Sequence, residues 1–124
     1  MRDSKIALLR DAIQNRRQIK AIARDLPRVF CPHILGTKDG HWYVVVWQFE
    51  GYANTGDLPN WRCFGLDELN KIEVQDGPWH PILLRNRRRR TFPIDCVDTI
   101  ADQDHIGDID VQKRGFSLSR MFFG

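Results

Sequence analysis

The sequence predicts a mainly β fold: a small barrel of about five short strands behind one N-terminal helix, followed by a C-terminal extension. Three observations carry this expectation. Residues 41–49, His-Trp-Tyr-Val-Val-Val-Trp-Gln-Phe, are the longest unbroken run of β-branched and aromatic residues. Both parities of that run are mostly apolar, which predicts a central strand covered on both faces. Shorter runs of strand formers lie on either side of it, separated by clusters of turn residues.

In order along the chain, residues 4–15 come first. Ile6, Leu9 and Ile13 recur at helical spacing, with Leu8 and Ala12 beside the stripe and Asp3 or Ser4 as caps. Residues 18–23 alternate as a first strand, and Asp25, Leu26 and Pro27 form a turn. Residues 28–35 form a second strand that contains Pro32, and a proline there requires an edge or a bulge. Residues 36–40, with Gly at both ends, form a five-residue hairpin loop into the central strand. A surface loop over 50–59 leads to a strand over 60–65, a tight helical turn over 66–69 and a closing strand over 71–74.

Composition narrows the function classes. With 124 residues, 42% hydrophobic and 28% charged, the chain can bury a core without staples. No apolar run approaches the roughly 18 residues of a membrane span. The N-terminus has no signal-peptide segment, so a cytoplasmic location without membrane contact is expected. Cys31, Cys63 and Cys96 are odd in number and widely spaced, against a disulfide framework or a zinc site. Asp102, Asp104, Asp108 and Asp110 fail the calcium-loop template, because Ile106 stands where a ligand belongs. No metal or cofactor is expected. Nucleophile-elbow, HExxH, P-loop and GxGxxG patterns are all missing, and Cys31 with His33 has no visible third orienting group. The chain reads as a non-enzyme with no catalytic residues.

The order of several short motifs resembles the WYL domain over about residues 5–75. Residues 9–13 and 15–20 resemble its opening segment, and Val29, Phe30, Cys31, Pro32 and His33 its proline-bearing strand. Trp42, Tyr43 and Val44 resemble the name-giving Trp-Tyr-Leu tripeptide. Residues 62–69, Arg-Cys-Phe-Gly-Leu-Asp-Glu-Leu, are similar to its closing motif. The resemblance implies an Sm-like, SH3-type barrel that serves as a ligand-sensing, regulatory domain in bacteria. It implies binding of small ligands, nucleotides or single-stranded nucleic acid. Ala23 stands where the family has a tyrosine and Glu68 where it has an arginine, and residues before 18 leave no room for a helix-turn-helix. Residues 1–75 thus form the WYL-like domain. Residues 76–124 form an extension packed on the same domain or making a dimer contact.

Three functions follow as expectations. The first is a sensor of a small anionic or nucleotide-like ligand, held by His41, Tyr43 and Trp47 on one parity of the central strand with Arg62 beside them. The dull counterpart is an arginine stacked on a tyrosine at the barrel surface. Trp47, Phe49, Tyr52 and Trp61 could form a stacking platform for bases, or serve as core and cover the barrel's open end. The second is a direct binder of single-stranded nucleic acid through Arg85, Arg87, Arg88, Arg89 and Arg90. Those arginines could equally pair with the six aspartates of residues 93–112. The third is an assembly protein or homodimer using the apolar terminus, with Phe116, Leu118, Met121, Phe122 and Phe123.

Overall fold

The computed structural model of the chain describes residues 2–52, 58–81 and 94–101. The arginine cluster, the calcium-like aspartates and the apolar terminus lie outside the described residues. The elements are α1 (Arg2–Gln14), β1 (Gln18–Ala23), β2 (Leu26–Lys38), β3 (His41–Gly51), β4 (Asn60–Gly65), a 3₁₀ turn (Leu66–Glu68), β5 (Leu69–Gln75) and β6 (Cys96–Ile100). The fold is mainly β, as expected. Its strands form one antiparallel, barrel-like sheet in the order β4-β3-β2-β1-β5, with β6 also paired to β2.

The run of residues 41–49 becomes β3, flanked by β2 and β4 and covered on both faces. Val44 and Val46 point into the main core, where Leu9, Ala12 and Ile13 of α1 meet Phe30, Leu35, Phe64 and Leu69. Val45 points into a second cluster with Ile34, Trp61, Ile94 and Val97. Alternation along a strand thus makes one segment serve two cores.

Pro32 sits in β2, an interior strand, and is accommodated at a bulge. The β2–β3 register shifts between Pro32 and Ile34, so the missing amide falls where the ladder is already broken. The shift also changes parity: Phe30 and Leu35 face the main core, while Ile34 faces the second. On its other edge, β2 pairs with β1 through Phe30 and with β6 from Ile34 onward. The hairpin into β3 is tighter than expected. Gly36, Thr37 and Lys38 continue β2, and Asp39 and Gly40, both at positive φ (52° and 80°), make a two-residue turn. Arg24 and Asp25 likewise turn between β1 and β2 at positive φ, which places Leu26 and Pro27 inside the second strand.

β6 arises within the acidic stretch, beyond the five strands expected from the sequence. Val97 and Thr99 are buried while Cys96 and Asp98 are exposed, an alternation too short to stand out beside the aspartates that flank it. Arg10 holds the strand to α1 through a bidentate pair with Asp98 (Nε–Oδ2 2.9 Å, Nη2–Oδ1 3.0 Å). Burial pushes the Asp98 carboxyl up. Hydrogen bonds from Arg10 and Thr99, with the charge of Arg10, outweigh it and hold the carboxyl below its ordinary value. A depressed folded pKa contributes stability that is present above the unfolded value and lost as pH falls through the folded one. Acid titration from pH 5 downward is therefore expected to loosen β6 below the ordinary aspartate pKa of about 3.9. Amide exchange at residues 97–100 reports this, and Asp98→Asn should flatten the dependence.

Residues after β5 strap across the outer face of the sheet. Gln18 Nε2 donates to the Pro78 carbonyl (2.7 Å), and His33 Nε2 to the His80 carbonyl (3.0 Å). The His80 ring stacks on Phe49 with centroids 4.1 Å apart.

Candidate functional site

One end of the sheet opens into a cleft of about 560 Å³. Its walls come from elements distant in sequence: Arg2 of α1, Arg24 at the β1–β2 turn, His41, Trp42 and Tyr43 at the start of β3, Cys63 of β4, and Asp67 and Glu68 of the 3₁₀ turn. The register explains the convergence. Tyr43 pairs with Gly65 and Ala23 pairs with Leu69, so the start of β3, the end of β4 and the end of β1 meet around the turn.

The cleft has a defined electrostatic centre. The Arg24 guanidinium makes a two-pronged contact with Glu68 (Nε–Oε1 2.9 Å, Nη2–Oε2 3.3 Å). Glu68 Oε2 also accepts from the Gly65 amide at 2.8 Å, closing the 3₁₀ turn. Burial pushes the Glu68 carboxyl up, but hydrogen bonds from Arg24 and Gly65 and the charges of Arg24 and Arg28 hold it below its ordinary value. The Cys63 thiol is pushed up to about 12, by burial first and the Glu68 charge second. A thiol in that state is a poor nucleophile at neutral pH.

The structure separates the four residues expected to share a ligand site. His41 and Tyr43 line the cleft. Trp47 shares their parity but lies four residues farther along β3, about 13 Å away. There it packs edge-on against Trp61 (5.2 Å), which in turn meets His33. Arg62 pairs with Val46, so it belongs to the opposite face from Tyr43 and Trp47. It lies near Arg28, which is buried and donates to the Ala23 carbonyl (3.1 Å) and to Gln48 Oε1 (3.4 Å). Burial, then the charges of Arg24 and Arg62, lower the pKa of Arg28, while Glu68 opposes them. The guanidinium carbons of Arg24 and Arg28 lie 5.4 and 5.0 Å from the Phe64 ring centre.

Sequence reasoning missed Arg2 and Arg24 as cleft residues. Arg24 follows a strand whose pairing with β5 is invisible locally, and Arg2 reaches the cleft only because α1 packs across the sheet. The one available signal was Glu68, the departure from the closing motif, which needs a cation nearby. Among the described residues, no group of three or more His, Cys, Asp or Glu side chains could hold a metal ion. No described helix is long and apolar enough to cross a membrane.

The WYL domain profile matches residues 4–74, from α1 through β5. The chain belongs to the WYL domain family. That span holds every wall of the cleft except Arg2. WYL domains are regulatory, ligand-sensing modules and generally non-catalytic. A search of curated proteins gave no match, and neither did a search of solved structures.

Proposed function

We propose that this WYL domain is a non-enzymatic sensor that binds a small anionic, nucleotide-like ligand in the cleft and passes the signal to a partner. The observation that supports this reading best is the convergence of Arg24 and Arg2 with Trp42, Tyr43 and His41 around one cavity. Its volume falls in the range of roughly 300–1,000 Å³ usual for small-molecule sites. A guanidinium offers a planar fork to phosphate or carboxylate, and aromatic faces stack on bases. The proposal keeps His41 and Tyr43 from the sequence expectation and moves the anion contact from Arg62 to Arg24. Direct single-stranded nucleic-acid binding through Arg85–Arg90, and assembly through the apolar terminus, rest on residues outside the described ones.

A thermal-shift screen of nucleosides, nucleotides and short oligonucleotides tests the reading. At least one nucleotide is expected to raise the melting temperature. Arg24→Ala should then weaken its binding by the roughly 1.5–3 kcal/mol of a charged hydrogen bond. A screen in which no compound shifts the melt, or a hit indifferent to Arg24→Ala, would count against it.

A further inference from the structure

Resting on that reading, we propose that Glu68 is the resident counter-anion of the cleft. It occupies the Arg24 fork in the ligand-free protein, must be displaced by an incoming anion, and limits how much negative charge a ligand can carry.

The geometry of the pair carries the argument. Both oxygens of Glu68 engage Arg24, in the two-pronged arrangement that a phosphate or carboxylate would adopt. The side chains of Arg24 and Glu68 remain 47% and 35% exposed, so the pair can be reached and exchanged from solvent. Exposed pairs of this kind are weakly held. Glu68 has a second hold, because its Oε2 also accepts from the Gly65 amide. A ligand that takes the fork from Glu68 therefore leaves that carboxylate nearby, tethered to the 3₁₀ turn. Its charge then acts against the ligand's own.

The rest of the lining points the same way. Arg2 and Arg24 are balanced in formal charge by Asp67 and Glu68, while Trp42 and Tyr43 add apolar surface. Such a cleft suits an aromatic body bearing one anionic group, of which a nucleoside monophosphate is a representative. It disfavours a triphosphate, whose further charges meet carboxylates and not additional cations.

Calorimetric titration of adenosine, adenosine monophosphate and adenosine triphosphate into the wild type, Glu68→Gln and Arg24→Ala/Glu68→Gln tests this. Glutamine keeps an acceptor for the Gly65 amide, and a ligand-free melt verifies the fold. Removing one unit charge about 4 Å from the ligand's anion should tighten monophosphate binding about tenfold. Triphosphate should gain more, and neutral adenosine should be unchanged. The double variant should lose the gain. Glu68→Ala, which removes the charge without offering an amide, should rank the three ligands in the same way. The inference is overturned if the wild type binds monophosphate and both Glu68 variants bind it equally or more weakly. Equal gains for adenosine and its monophosphate would also overturn it, because space and not charge would then be the cause. If no form binds any of the three, the cleft reading itself fails, a result distinct from failure of Glu68 alone.

Discussion

Replacing Phe64 by alanine is expected to lower the unfolding free energy by about 3–5 kcal/mol, the largest single effect in the molecule. Phe64 is fully buried on β4, opposite Val44, and is one of the two phenylalanines of the main core. Its ring lies 6.0 Å from that of Phe30 on β2, which ties β4 to β2 across β3. The Arg24 and Arg28 guanidinium groups also approach the same ring. Truncation therefore leaves a cavity, removes an aromatic contact and takes away the surface beneath two cations. The surroundings cannot easily collapse, because the strands on either side are fixed by ladder hydrogen bonds. A urea titration should show a lower midpoint with an unchanged slope. A loss under about 1 kcal/mol would mean that the main core does not centre on Phe64.

The second large effect is expected from Gly36→Val. A Cβ at Gly36 would lie 2.5 Å from the Cys96 carbonyl oxygen and 2.7 Å from Ile94 Cγ2. The backbone oxygen belongs to β6, so the strand itself has to move. Overpacking of this sort costs about 1–3 kcal/mol. Here it should act locally, by prying β6 from β2. The bonds at risk are the Asp95 amide to the Thr37 carbonyl (2.9 Å) and the Ala101 amide to the His33 carbonyl (2.8 Å). Hydrogen exchange should accelerate at residues 95–101 and stay slow in β1 and β4. Uniform acceleration across the sheet would show that β6 is not a separable unit.

Much of the fold is legible in the sequence, for identifiable reasons. β3 is legible because both of its parities are apolar and no turn residue interrupts it. β4 and the 3₁₀ turn are legible because Asn60 and Gly65 bracket a short segment holding Trp61 and Phe64, and Leu66 restarts a helical spacing. β6 is not, because it is only five residues long, has two buried residues, Val97 and Thr99, and opens a stretch rich in aspartate. The candidate site is legible only in part. His41 and Tyr43 sit on a strand whose position is unmistakable. The face of Arg62 depends on the β3–β4 register, and a shift of one residue reverses it. Residues 50–59, ten residues rich in Gly, Asn, Asp and Pro, are too many to fix that register from sequence chemistry alone. Arg24 enters the cleft through the pairing of Ala23 with Leu69, a contact between residues 46 positions apart in the sequence.

On the proposed function, this WYL domain meets its ligand in the cleft beside the Arg24–Glu68 pair. Backbone amide chemical-shift mapping during titration with adenosine monophosphate tests it most directly. The largest changes are expected at residues 24, 40–43 and 63–68, and they should vanish in Arg24→Ala. Changes centred instead on Trp47 and Trp61, or no changes at saturating nucleotide, would rule the cleft out as the ligand site.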